Sequence, residues 1–128
     1  MVIEEKLIAL WGASGTATAL VPAYNVKVPG NWQNLERPYI IIYQIAERPI
    51  HTHGALQPLR QWTIQFSILA DSYSSANAIA EAMRGSIFVG NIDGVNFSYR
   101  GRVFSSRDDR LGVEHIAVEY LISETLGA

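Results

Sequence analysis

Residues 61–88, which read QWTIQFSILADSYSSANAIAEAMRGSIF, predict a strand that leads directly into a helix. Polar and apolar residues alternate from Gln61 to Ile68, and a period of two places the apolar set on one face of a pleated strand. Asp71 and Ser72 then supply side-chain oxygens that can accept hydrogen bonds from the free N–H groups at a helix start. Apolar residues recur at helical spacing over residues 74–88. We therefore expect the helix to pack on the apolar face of the strand.

The rest of the chain predicts further strands and two more helical segments around this unit. Before it come two helical segments and a short extended segment, at residues 2–11, 16–21 and 24–28. Three more strands are predicted at residues 39–45, 95–103 and 116–122. This order predicts a single α+β domain over residues 1–128, an antiparallel β-sheet with a long central helix and an N-terminal helix packed on one face. Residues 39–45 are apolar on both sides, so we expect a second cover for the sheet there, such as a neighbouring subunit.

Composition excludes several classes of function. The chain has 128 residues, no cysteine and a net charge of −2, so a disulfide framework, a thiolate metal site and a strongly basic nucleic-acid surface are all excluded. No apolar run approaches the roughly 20 residues of a membrane span, and the start of the chain lacks a signal-peptide pattern. We expect a soluble protein made in the cytoplasm.

No residue pattern predicts catalysis or a bound cofactor. His51 and His53 have a spacing that could bind a metal, but a third ligand would have to come from far along the chain, for example His115. Asp108 and Asp109 are better explained as a charged turn neutralised by the neighbouring arginines than as a carboxylate site. The serine neighbourhoods do not resemble a nucleophile turn. We expect no enzyme activity, no cofactor and no metal.

Residues 47–60, which read ERPIHTHGALQPLR, predict an element of assembly. At about 14 residues this loop is longer than the usual hairpin connection of two to five residues, and loops of such length are commonly functional. Its aliphatic content is too high for a segment that stays solvated, so we expect a neighbouring protein to cover it. The interface residues predicted here are Arg48, Ile50, His51, His53, Leu56 and Arg60. If His51 or His53 is desolvated in this interface, protonation below about pH 6 should loosen it.

A second predicted interface lies in the basic stretch of the last two long strands. Arg100 and Arg102 are expected opposite Glu119 on the exposed face of that strand pair. Arg107 and Arg110 follow in the polar connection, and nearby acids cancel much of the charge. A protein interface involving Arg107 and Arg110 is therefore a better interpretation than contact with DNA phosphates.

The chain resembles the tail completion, or tail terminator, proteins of long-tailed bacteriophages and gene transfer agents. Three segments carry the resemblance: the N-terminal helix followed by ATALV at residues 17–21, the strand opening RPYIIIY at residues 37–43, and ADSYSSA at residues 70–76 before the helix. In that family Asp-x-Tyr-x-x-Ala is typical before the helix, which here corresponds to Asp71, Tyr73 and Ala76. The likeness extends nearly from end to end, in the order of the patterns.

The resemblance implies a virion protein that forms a hexameric ring at the head-proximal end of the tail tube. Such a ring ends tube polymerisation and offers a surface for head–tail joining. The implied partners are further copies of the chain, the tail tube protein and a head-closure or connector protein, with DNA passing through the ring without sequence-specific binding. Two alternatives remain open: a head-closure or connector protein of the same virion, and a small cytosolic ligand-binding domain with a pocket around His51, His53 or Asp109.

Overall fold

In the computed structural model, which describes residues 2–30, 36–50 and 59–125, three helices pack on a six-stranded sheet. The helices are α1 (Ile3–Gly12), α2 (Gly15–Leu20) and α3 (Tyr73–Ala82), and α3 continues as a π-helical segment at Met83–Ile87. A 3₁₀ turn at Ala23–Asn25 precedes the first strand. The strands are β1 (Val26–Lys27), β2 (Tyr39–Ile50), β3 (Leu59–Ala70), β4 (Gly90–Ile92), β5 (Val95–Asp108) and β6 (Val113–Thr125).

The sheet is mixed, in the order β1-β2-β3-β6-β5-β4. All neighbouring strands are antiparallel except β1 and β2, which pair in parallel through Val26 with Ile40 and Lys27 with Ile41. The α+β class is as predicted, and the sheet is antiparallel as predicted apart from the short parallel pair of β1 with β2. These two strands are parallel because the chain between them crosses back to the end at which β1 starts instead of making a hairpin turn.

The predicted strand–helix unit forms around the cap provided by Ser72. The Ser72 hydroxyl accepts a hydrogen bond from the Ser75 backbone N–H at 3.2 Å, which satisfies one of the free donors of the first helical turn. The α-helical part is shorter than the predicted helix over residues 74–88, because its last turns widen into the π-helical segment.

One face of the sheet forms the core with the three helices. Phe66 of β3 is 1% exposed and its ring lies 5.3 Å from Phe88 and 5.5 Å from Tyr120, measured between ring centroids. Ile79 and Met83 of the central helix are buried in the same cluster, as predicted. From the other helices, the buried residues of this cluster are Ile3, Leu7, Trp11 and Ala17. All three helices therefore cover the same side of the sheet.

Two hairpins are longer than the sequence patterns indicate. β2 pairs with β3 as far as Ile50 and Leu59, so the strands take up residues at both ends of the predicted loop over residues 47–60. β5 and β6 likewise pair as far as Asp108 and Val113, inside the segment predicted as a polar connection. The polar and proline-containing composition of these segments suggested loops, but cross-strand backbone hydrogen bonds do not depend on side-chain polarity.

Three residues interrupt the ladders as bulges: Ile45 in β2, and Arg100 and Val103 in β5. Each bulge inserts one residue that has no partner on the neighbouring strand and reverses the alternation of faces that follows. A tight turn at Asp93 and Gly94, with φ of 50° and 84°, joins β4 to β5, as the Asp-Gly pair predicts.

Candidate assembly surface

The face of the sheet opposite the helices, here called the open face, is a candidate assembly surface. Its centre is a row of paired residues on neighbouring strands, Ile41, Ser67 and Ala117, which are at most 3% exposed. Around this row, side chains of intermediate burial mix rings, amides and carboxylates: Tyr39, Tyr43, Thr63, Gln65, Leu69, Glu119 and Leu121. No helix of the described residues contributes to this side, because the buried residues of all three helices join the opposite cluster.

One shallow groove of about 360 Å³ lies on the open face, at the end where the β2–β3 hairpin extends. Its lining residues are Ala46, Glu47, Gln61, Thr63, Arg100 and Leu121. Among the described residues that line this groove there is one carboxylate and one guanidinium, and no histidine or serine. Its polar, open walls suit contact with a protein surface more than capture of a small molecule.

A second groove, of about 340 Å³, lies at the other end of the open face and is called the His115 groove below. It is lined by Arg37, Tyr39, Leu69, Phe104, Ser106, Asp108, Leu111, Val113 and His115. Phe104 and Leu111 are 47% and 60% exposed, which is unusual for large apolar side chains in one patch. This groove therefore combines an apolar floor with exposed apolar walls.

His115 lies edge-on to Phe104, with 4.9 Å between ring centroids. Its Nε2 atom is buried and has no hydrogen-bond partner among the described residues. Burial lowers the pKa of His115, because the imidazolium loses hydration that nothing nearby replaces. The ring is therefore neutral at physiological pH, and it belongs to an apolar contact surface rather than to a charged site.

The structure describes only part of the predicted interface of residues 47–60. Arg60 is exposed and its Nε lies 3.3 Å from Oε1 of Glu47, a diagonal neighbour on β2, since the residue directly opposite Arg60 is Pro49. Arg48 and Ile50 belong to β2, while His51, His53 and Leu56 lie outside the described residues. The expectation that Arg60 would meet a carboxylate of another subunit thus has a competitor inside its own chain.

Arg107 and Arg110 lie at the β5–β6 turn and differ in their partners. Arg107 contacts Asp109 at 2.8 Å through Nε and Glu114 at 3.3 Å through Nη1. The backbone N–H of Arg110 donates to Asp108 Oδ1 at 3.0 Å, and its side chain is exposed. The prediction of a self-neutralised charged turn is therefore accurate for Arg107, whose guanidinium is already occupied within the subunit.

The prediction that Arg100 and Arg102 both face Glu119 is wrong, since the first β5 bulge separates their faces. Glu119 pairs with Gly101, Arg100 turns to the open face, and Arg102 turns to the helix side. There Arg102 hydrogen-bonds to Asn77, to the Tyr73 hydroxyl at 3.3 Å and to Glu81 Oε1 at 3.2 Å. Hydrogen bonds from Arg84 and then from Arg102 lower the pKa of Glu81, so this cluster stays ionised and ties β5 to α3.

The sequence patterns missed several exposed apolar residues of this surface. Ile45, Val103, Phe104 and Leu111 are each about half exposed or more. The apolar run at residues 39–45 contained one signal for exposed apolar residues, since it has apolar side chains on both faces and only one face is covered by the helices. The outward position of Val103 had no signal, because it follows from a bulge.

The described residues carry no sign of a metal centre or a membrane-crossing helix. Over residues 2–30, 36–50 and 59–125, no group of three or more His, Asp or Glu side chains could hold a metal ion. The helices in the same ranges are all too short or too polar to cross a bilayer.

Comparisons with known proteins identify the fold. No family model and no curated protein matches the chain. Among solved structures, a similar fold occurs in a chain of the virion of a native gene transfer agent particle. The two chains are 16% identical, the likeness covers 96% of this chain and 94% of that chain, and the TM-score is 0.69. The whole domain, and not only its sheet, therefore has the architecture of a chain from a virion.

Proposed function

We propose that the protein is a structural component of the virion of a tailed phage or gene transfer agent. The observation that carries this proposal is the end-to-end likeness to a chain of a gene transfer agent virion, which includes the helices as well as the sheet. Since fold alone does not imply function, the surface must support the same role. It does so through an open face with exposed apolar side chains and shallow polar grooves, features expected where another protein binds.

Within the virion, we assign the protein to the ring that caps the head-proximal end of the tail tube. The family resemblance of residues 17–21, 37–43 and 70–76 is the support for this finer role. The ring is a homo-hexamer that ends tube polymerisation and presents a surface for head–tail joining. DNA passes through it without sequence-specific contacts, in keeping with the net charge of −2.

The β2–β3 hairpin is proposed as one of the contact elements of this ring. Its strands remain paired as far as Ile50 and Leu59. Arg48, Ile50, His51, His53, Leu56 and Arg60 are its proposed contact residues, and Arg107 and Arg110 are those of the β5–β6 turn. With Arg107 bound to its own Asp109 and Glu114, Arg110 is the more available of the second pair.

The proposed role requires no catalysis, metal or cofactor. Among the described residues, Ser106 lines the His115 groove and pairs with His115 across the two strands, but His115 Nε2 has no hydrogen-bond partner. A purely structural function is consistent with this arrangement.

Electron microscopy and light scattering test the proposal. The purified protein should form a ring of six subunits by mass, and mixing it with tail tubes should place the ring at one tube end and stop further growth. Rings that bind a head connector but not the tubes would favour the head-closure alternative. A monomer that binds neither tubes nor connectors would contradict the virion role.

A hairpin variant tests the contact element separately. Residues 50–57 are replaced by a Gly/Ser linker, and a variant with Ser74→Ala, an exposed position of α3 away from the strand edges, serves as the control. If the linker variant folds, assembles and binds tubes like the parent, the hairpin is not a contact element.

A further inference from the structure

The two edges of the sheet are largely unpaired. β1 pairs only with Ile40 and Ile41 of β2, and β4 pairs only with residues 95–97 of β5. Among the described residues, this leaves residues 42–50 of β2 and residues 98–108 of β5 with one side free of any strand. An unpaired edge presents backbone N–H and C=O groups that can pair with another strand. The free stretches have similar lengths and lie at opposite sides of the molecule.

The strand directions make these two edges compatible with each other. β2 is antiparallel to β3, β3 to β6, and β6 to β5, so β5 runs antiparallel to β2. A second copy placed beside the first by rotation about a ring axis keeps this relation, and its β5 then meets β2 in antiparallel fashion. β1 covers the start of β2 and β4 covers the start of β5. In an antiparallel pair these two starts lie at opposite ends of the paired stretch, so β1 of one copy does not collide with β4 of the next.

Each free edge carries an exposed β-branched side chain at a bulge. Ile45 is 55% exposed in β2 and Val103 is 51% exposed in β5, and neither has a partner in its own ladder. When the two free stretches are aligned in antiparallel order with Ile45 beside Val103, residues 42–50 of one copy overlap with residues 98–106 of the next. In many natural proteins a bulge protects an edge strand from pairing with another chain, and such an edge usually presents a charged side chain. At the bulges of β2 and β5 the exposed side chain is aliphatic instead.

The charges along the two edges are also complementary. On the β2 side, Glu4 and Glu47 line one depression with Gln44, and Arg60 is the one cation among the described residues that line it. On the β5 side, Arg100 is exposed on the open face and Arg102 lies near the helix, next to the exposed Arg84. In this alignment Glu47 falls beside Gly101 of the next copy, close to that copy's Arg100; within its own chain Glu47 pairs with Arg60 and lines a groove with Arg100. Opposite charges at the rim of an interface favour encounter in one orientation.

We propose that the β2 edge of one copy binds the β5 edge of the next copy, with Ile45 against Val103. This inference rests on the proposed ring and specifies the contact between its subunits. Because the two edges are different surfaces, the contact is head-to-tail, and its repetition closes into a ring when the rotation permits. The partner that the geometry selects is therefore a second copy of this chain.

Cysteine cross-linking tests the contact, because the chain has no cysteine of its own. Ile45→Cys and Val103→Cys are made as single variants, mixed in equal amounts and oxidised mildly. The expected result is a disulfide-linked heterodimer in the mixture and no homodimer of either single variant, since a disulfide requires close Cβ atoms. The double variant should form a ladder of linked species. Ala78→Cys, on the exposed side of α3, mixed with Val103→Cys is the matched control and should give no product.

Ile45→Asp provides a readout independent of thiols. A carboxylate at this edge should abolish association in light scattering and leave the far-ultraviolet circular dichroism spectrum and the thermal midpoint unchanged, because the side chain is exposed in the subunit. Retained association would overturn the proposal.

The cross-linking outcomes also separate this inference from the proposed function. Homodimers of a single variant would show that like edges meet, and the absence of any product would show that the edges do not meet; either result overturns the proposal. So would linkage of Ile45→Cys to a cysteine variant of the tail tube protein in place of Val103→Cys. A parent protein that still forms rings in these cases would retain the proposed function with a different subunit contact.

Discussion

The two faces of one sheet differ in how their side chains are covered. On the helix side, Ile64, Phe66 and Ile68 of β3 are all at most 1% exposed. On the open side of the same strand, Gln65 and Leu69 remain partly accessible. The difference teaches that one face completes the fold within the chain, whereas the other keeps side chains partly accessible, as the proposed contact with a partner requires.

The largest expected effect is on the helix side. Phe66→Ala should lower the free energy of unfolding by about 3–5 kcal/mol, because the lost ring leaves a cavity under α3. Urea denaturation followed by circular dichroism measures the loss. Gln65→Ala, the adjacent residue on the open face, is the control and should cost less than about 1 kcal/mol. Similar losses in both variants would mean that the open face is also packed.

A stabilising change is expected at Tyr120, which lies among the core rings. Its hydroxyl is buried without a hydrogen-bond partner among the described residues, and burial raises its pKa well above the ordinary value. Tyr120→Phe should raise the free energy of unfolding by about 1 kcal/mol, because it removes an unsatisfied polar group and keeps the ring. Tyr43→Phe on the open face should be neutral. A stability loss in Tyr120→Phe would reveal a partner for the hydroxyl.

The first bulge in β5 places two arginines, Arg100 and Arg102, on opposite faces of the sheet, where they form a matched pair. Arg102→Met should cost about 0.5–1 kcal/mol, because Arg102 joins β5 to α3 through Tyr73 and Glu81 in a partly solvated cluster. Arg100→Met should leave the unfolding curve of the subunit unchanged. Equal effects on stability would contradict the assignment of the two residues to opposite faces.

The smallest effect expected is a pH dependence from His115. Its folded pKa is lowered by burial, so the unfolded chain binds the proton first as the pH falls. The subunit should lose stability as the pH falls through about 6.5, with no further loss from this group below its folded pKa. The charged groups that line its groove are Arg37 and Asp108.

His115→Gln tests this pH dependence by thermal unfolding between pH 7.5 and 5. The variant should show a flatter profile than the parent on the acid side. A parent profile that gains stability as the pH falls, with the gain lost in His115→Gln, would indicate a raised pKa and an acid beside the ring.

Much of the fold was predictable because local patterns and the final burial agree. The alternation in residues 61–68, the Ser72 cap and the helical spacing after it predicted the packed strand–helix unit, and the Asp93-Gly94 turn was also predicted correctly. In each case the decisive interactions join residues close in sequence or follow from a simple period.

The candidate surface depended on features that sequence patterns do not encode. The outward positions of Ile45 and Val103 and the opposite faces of Arg100 and Arg102 follow from bulges, and a bulge forms to fit the twist and pairing of strands distant in sequence. The parallel pairing of β1 with β2 likewise has no signal in a local sequence pattern. The sequence alone thus determined which residues form the core of this α+β domain, because burial follows local periodicity. Only the tertiary structure decided which side chains remain for a partner, because that depends on the register between distant strands.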